Sequence, residues 1–174
     1  MFPQTFPAPA DFAPAARLLA PAERCDFLDI ARATLPGTWS ALDLWNGMMA
    51  RPVPGLGLAF RLRDAISTRF GVQRIGGFSG ERHEMVVAGE PLDFFMVEGA
   101  TPERLLLSAR DRHLDVLICV TASPVAGATE AAITSSVVTH NLFGRVYMLP
   151  VRPVHRVLVR WMLSRLAEKT GSPG

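Results

Sequence analysis

Between residues 104 and 140 apolar positions alternate with polar ones in three consecutive runs, and their parity switches at each intervening turn. Leu105, Leu107 and Ala109 are odd-numbered, Leu114, Val116, Ile118 and Val120 are even, and Ala131, Ile133, Ser135 and Val137 are odd again. A period of two marks strands, and antiparallel neighbours share an apolar face only if paired numbers sum to an odd value. A turn at Asp111-Arg112 that opposes 110 to 113, followed by one across 124–128, meets that condition. The chain is thereby held to an antiparallel meander with one apolar inner face. The other face carries Ser108, Arg110, His113, Asp115, Thr134, Ser136 and His140 among Leu106, Leu117 and Val138.

The remaining elements follow from spacing and punctuation. Residues 25–31 read as a first strand. Thr38 is placed to cap a helix in which Trp39, Leu42, Trp45 and Met49 recur at helical steps until Pro52. A second helix over 58–70 is closed by Gly71, and the glycines at 76, 77, 80 and 89 make 72–92 a long loop with room for an edge strand or a lid. Strands are expected over 93–98, 104–110, 113–123 and 130–140. The corner at 141–145 then hands over to a long terminal helix, with Pro153 in its first turn and Val154, Val157, Leu158, Trp161, Met162 and Leu166 turned to the sheet. The expectation is an α+β, helix-grip fold, in which a curved antiparallel sheet packs on the C-terminal helix and two shorter helices follow the first strand. Residues 1–23, rich in Pro and Ala, form an arm or strap; 24–170 form one domain and 171–174 a tail.

Length and charge exclude several classes. A chain of 174 residues is one domain by size. Although 49% of it is hydrophobic, no run approaches the ~20 apolar residues that span a bilayer. The opening residues lack a basic segment ahead of an unbroken apolar one, so a soluble cytoplasmic protein is expected. Of the 18 basic residues all but Lys169 are arginine, and they are dispersed among acids, which argues against nucleic acid. Cys25 and Cys119 sit in apolar segments without CxxC spacing and are expected to be buried thiols. Gly55-Leu56-Gly57 lacks the third glycine of a dinucleotide-binding turn, and no cofactor is expected.

Several spaced pieces also resemble a known family. Phe95-Met96-Val97, the run from Leu106 through Ser108, Arg110 and His113 to Asp115, Thr139-His140-Asn141 with Gly144-Arg145-Val146-Tyr147, and Pro153-Val154-His155-Arg156 look like the signature of a bacterial domain of unknown function, number 2867, over about residues 25–168. That family is similar to the START-like, or polyketide-cyclase-like (SRPBCC), helix-grip superfamily, whose members hold apolar small molecules. The resemblance implies a pocket between sheet and helix, not a reaction.

Three constellations are candidates for chemistry. His113, Asp115 and His140 lie on adjacent strands, where they are either sheet residues, with Arg110 pairing Asp115, or a weak metal set; no metal is expected. If that face lines the pocket, His113 and Asp115 become an acid/base pair. Asn141, Gly144, Arg145 and Tyr147 suit a sharp corner, with Arg145 and Tyr147 alternatively binding a polar ligand end at the pocket mouth. His155, in a first helical turn, would resist protonation and be either a base or an orienting donor. The small inner-face residues Ala131 and Ser135, opposite Trp161, leave room for an apolar ligand. Arg152, Arg156, Arg160 and Arg165 need Glu168, Asp26 or Asp29, or else an anionic partner such as a membrane surface or another protein. Leucines on the outer sheet face favour a homodimer over a membrane contact. The leading function is binding of a small hydrophobic molecule. The alternatives are a cyclase- or dehydratase-type enzyme and a non-catalytic partner of an NAD(P)-dependent dehydrogenase or epimerase.

Overall fold

The computed structural model describes residues 16–50 and 79–171, with side chains as far as Glu168. The helix expected over 58–70 and the start of the glycine-rich loop lie outside these residues. Six strands form one antiparallel sheet: β1 (Phe27–Pro36), β2 (Pro91–Leu92), β3 (Phe95–Thr101), β4 (Arg104–Arg110), β5 (Leu114–Val125) and β6 (Ala128–Thr139). Their order is β1-β6-β5-β4-β3-β2, so the meander from β2 to β6 is completed by β1 on its far edge. Helix α1 (Ala41–Met49) and helix α2 (Leu142–Gly171) cover one face. Residues 79–90 are irregular, and the edge strand allowed for in that loop is the short β2.

The odd and even positions of β4, β5 and β6 fall on the faces expected of them. Leu107 pairs with Ile118 and Ile118 with Ser135, while Ala109, Val116 and Val137 form the next row. Arg110 opposes Asp115 rather than 113. The sum stays odd, so the face is kept while the loop lengthens to four residues. Asp111 sets that length, because its carboxylate accepts the N–H of His113 at 2.6 Å and of Leu114 at 3.0 Å. The second hairpin closes at Ala126-Gly127, where Gly127 takes φ 71°, a left-handed value suited to glycine.

The inner face is a filled core. Leu35, Leu44, Leu105, Leu107, Val120, Ala131 and Leu163 are all but inaccessible. Helix α1 is capped by Ser40, not Thr38. Ser40 Oγ accepts the Asp43 N–H at 3.1 Å and Asp43 Oδ2 accepts the Ser40 N–H at 3.3 Å, a reciprocal box that needs an acid three residues on.

Helix α2 departs from expectation twice. It starts at Leu142 and runs through Pro150 and Pro153, so His155 lies in its fourth turn, not its first. Those prolines leave the carbonyls of Val146 and Leu149 without a helical donor, and both residues are on the solvent side, where water can serve. Its inward face is Met148, Val151, His155, Val159, Met162, Leu163 and Leu166, whereas Val154 and Val157 are 59% and 70% exposed and Trp161 lies at the surface. Apolar residues fall on two sides of this helix, and the buried side is selected by contacts to β1, over which α2 chiefly lies. Arg160 grips buried Asp29 of β1 with both terminal nitrogens, at 2.8 and 3.1 Å, and Arg156 approaches at 3.6 Å.

The outer face is covered too. Residues 16–24 run along it as a strap, the Arg17 N–H reaching Cys119 Sγ at 3.3 Å and the Leu19 N–H reaching Ser136 Oγ at 3.0 Å. Leu117, Thr121, Thr134 and Ser136 are buried and Leu106 and Val138 half-buried, so the exposed leucines expected there are absent from this face. Both cysteines are buried and free, with thiols raised by burial.

Candidate functional site

A cleft of about 260 Å³ opens between α1, residues 80–82 and the last turns of α2. Its existence begins with Gly47. A Cβ there would meet Leu166 Cδ1 at 2.8 Å, so the glycine lets the two helices approach closely. Trp39 and Trp161 are its aromatic walls, with Met48, Met162 and Leu166 between them. Trp39 is fixed by its indole N–H to the Pro36 carbonyl at 3.0 Å and by its backbone N–H to Thr129 Oγ1 at 3.1 Å.

The polar rim is equally built. Asn46 clasps the backbone of His83 from both sides, donating to its carbonyl at 2.8 Å and accepting its N–H at 3.0 Å. That clasp brings Arg82 over α1, where it donates to Asp43 Oδ1 at 3.1 Å. Hydrogen bonds from the Ser40 side chain, then Arg82, hold the Asp43 carboxyl below its ordinary range despite some burial. Both Asp43 oxygens are thus engaged. Arg165 lies over the Trp161 ring, 4.7 Å from its centroid, and pairs with no carboxylate among the described residues. The cleft therefore offers an apolar floor and one guanidinium free of a counter-charge, with no paired acid and base.

The residues singled out in the sequence are scattered by the fold. His113 sits in the hairpin turn, not on a strand, and its ring packs at a tilt against Phe143, centroids 4.6 Å apart. The Arg112 Nε–H donates to His113 Nε2 at 3.0 Å, and His113 Nδ1 meets the Asn141 side-chain amide, 2.9 Å from its Nδ2 and 3.1 Å from its Oδ1. Asp115 is not its partner; Asp115 Oδ1 lies 3.2 Å from His140 Nε2, and Arg110 goes to Glu98 at 3.2 Å instead of to Asp115. Among the described residues no three His, Cys, Asp or Glu side chains gather at a point. Asn141 is the cap of α2, its Oδ1 accepting the Gly144 N–H at 3.0 Å. Arg145 is exposed on the first turn, and Tyr147 is half-buried, stacked on Phe143.

His155 lies edge-on to Phe27 at 5.5 Å. Burial pushes its pKa down, opposed by Asp29 and assisted by Arg160 and Arg156. Its Nδ1 and the Oγ of Ser135 are buried without a hydrogen-bond partner. Ala131 and Ser135 face packed side chains, and of the six residues expected to meet a ligand only Trp161 lines the cleft. Asn46, Gly47 and Arg82 went unread in the sequence, while Trp39 was read only as a helix-face residue and Arg165 only as part of an arginine row. The available signal was Asn46-Gly47 in mid-helix, where a glycine costs stability unless another backbone or side chain comes close.

A family model described as protein of unknown function (DUF2867) matches residues 21–162. No curated protein matches the chain.

Proposed function

Because the chain belongs to the DUF2867 family, whose description carries no activity, we propose on the cleft alone that the protein binds a small amphipathic ligand with an apolar body and an anionic end. One observation carries this: two indoles and Arg165, unpaired by any carboxylate of the described residues, converge on an open cleft of about 260 Å³, just under the roughly 300 Å³ at which small-molecule sites begin and so suited to a small ligand. An aromatic-lined cleft buries the apolar part, and a guanidinium takes the anion through charge-assisted hydrogen bonds. We read the sheet and α2 as a helix-grip relative whose binding space has moved to the side, since the volume beneath α2 is occupied by core. The carboxylate present, Asp43, is committed to Ser40 and Arg82, which favours binding over cyclase or dehydratase chemistry.

The test is fluorescence titration with anilinonaphthalene sulfonate, an apolar anion. Micromolar binding is expected, weakened about tenfold by Arg165→Glu and about as much by Trp161→Ala, with melting temperature little changed. Equal affinity in the wild type and both variants would place the probe elsewhere and remove the proposal.

A further inference from the structure

The side of α2 that faces away from the sheet is apolar over most of its length. Leu142, Val146, Leu149, Val154 and Val157 are each more than half exposed, and Trp161 continues the row. At 1.5 Å per residue this ridge is roughly 30 Å long. Isolated exposed apolar side chains are ordinary, but a contiguous ridge on one helix needs an occupant.

The charge pattern says which. Helix α2 contains Arg145, Arg152, Arg156, Arg160, Arg165 and Lys169 against a single acid, Glu168, near its end. At 100° per residue, Arg145, Arg152 and Arg156 flank one side of the ridge and Arg165 the other, while Arg160, on the azimuth of Leu142, turns back to Asp29. Asp29 is shared by Arg156 and Arg160, so one carboxylate answers two guanidiniums. A two-fold partner of the same chain, laid antiparallel on the ridge, would set like flank against like flank and bring arginine rows together, and the one acid on the helix, Glu168, lies beyond the end of the ridge. An anionic lipid surface satisfies both features, because acyl chains accept the ridge while headgroup phosphates meet the exposed Arg145 and the partly exposed Arg165, which no carboxylate of the described residues pairs. Trp161, with Arg165 on its ring, has the aromatic-plus-cation character of a residue at the headgroup level. No helix of the described residues is long and apolar enough to cross a membrane, so α2 would lie on the surface, not span it.

We infer that the outward face of α2 docks on anionic membrane. The experiment is co-sedimentation of the full chain with phosphatidylcholine vesicles, with and without phosphatidylglycerol. Binding is expected only with the anionic lipid, weakened about tenfold by raising salt several-fold, as for exposed charges at a surface. Val146→Glu with Leu149→Glu, both three or more turns from the cleft residue Trp161, should abolish it while circular dichroism and anilinonaphthalene sulfonate binding stay unchanged. Should that double variant lose its fold, Arg145→Gln, at an exposed position, should still lower affinity for the anionic vesicles. Failure to bind anionic vesicles, binding unaltered by the double variant, or a dimer in sedimentation equilibrium that the double variant dissolves would each overturn the inference.

Discussion

Gly144 is the residue on which the placement of α2 turns. A Cβ there would collide with the backbone carbonyl of His113, an atom that cannot swing aside. The glycine lets the first turn of α2 lie directly on the β4–β5 hairpin, while Asn141 caps that turn and donates to the Arg112 carbonyl at 3.0 Å. Gly144→Ala should therefore destabilise by about 1–3 kcal/mol despite alanine's better helix propensity, the range for overpacking a tight contact. Urea unfolding measures it, and a gain in stability would mean the hairpin yields freely. The sequence marked Asn141 and Gly144 as a corner, correctly in kind, but assigned glycine's freedom to backbone conformation. The structural reason is close approach, and nothing in residue order alone tells those two apart.

At the scale of elements, parity was the legible part. A strand's face depends only on odd or even position, so the register could be wrong by two at 110 and still put Leu107, Ile118 and Ile133 on one side. The phase of α2 was illegible for the opposite reason. With apolar residues on two sides, periodicity admits either, and a proline at 153 pointed to a later start. His155 illustrates the cost: its resistance to protonation was anticipated from a helix end, whereas burial against Phe27 produces it. Its folded pKa lies below the ordinary value of 6.5, so the unfolded chain takes up the proton first as pH falls. The grip of α2 on β1 is accordingly full above about 6.5 and declines as pH drops toward the depressed folded value. Melting temperature should fall between about pH 7 and about pH 5, and His155→Leu should flatten that slope. An unchanged slope in the variant would show that other groups govern it.

For the molecule as a whole, both sheet faces being covered leaves little room for local opening. Cys119 is fully buried beneath the strap and Cys25 nearly so. Labelling of Cys119 by an aromatic disulfide should run no faster than global unfolding in urea-extrapolated kinetics. Rapid labelling in native buffer would show the strap peeling from the sheet by itself. The cleft escaped sequence reading at this same scale, because α1, residues 80–82 and the end of α2 meet there from three distant parts of the chain.

The pairing of β1 with β6 has a consequence in time. Phe27 waits for Val137, and Asp29 for Arg160, 131 positions later. During synthesis the neighbouring strands from β2 to β6 can zip in order, each hairpin closing a short loop, while the first strand emerges early with no mate. Until β6 is made, then, a largely apolar ten-residue strand stands ready to pair with whatever edge comes near. That exposure lasts until β6 pairs along the whole of β1, and Arg160 of α2 then locks Asp29 in place.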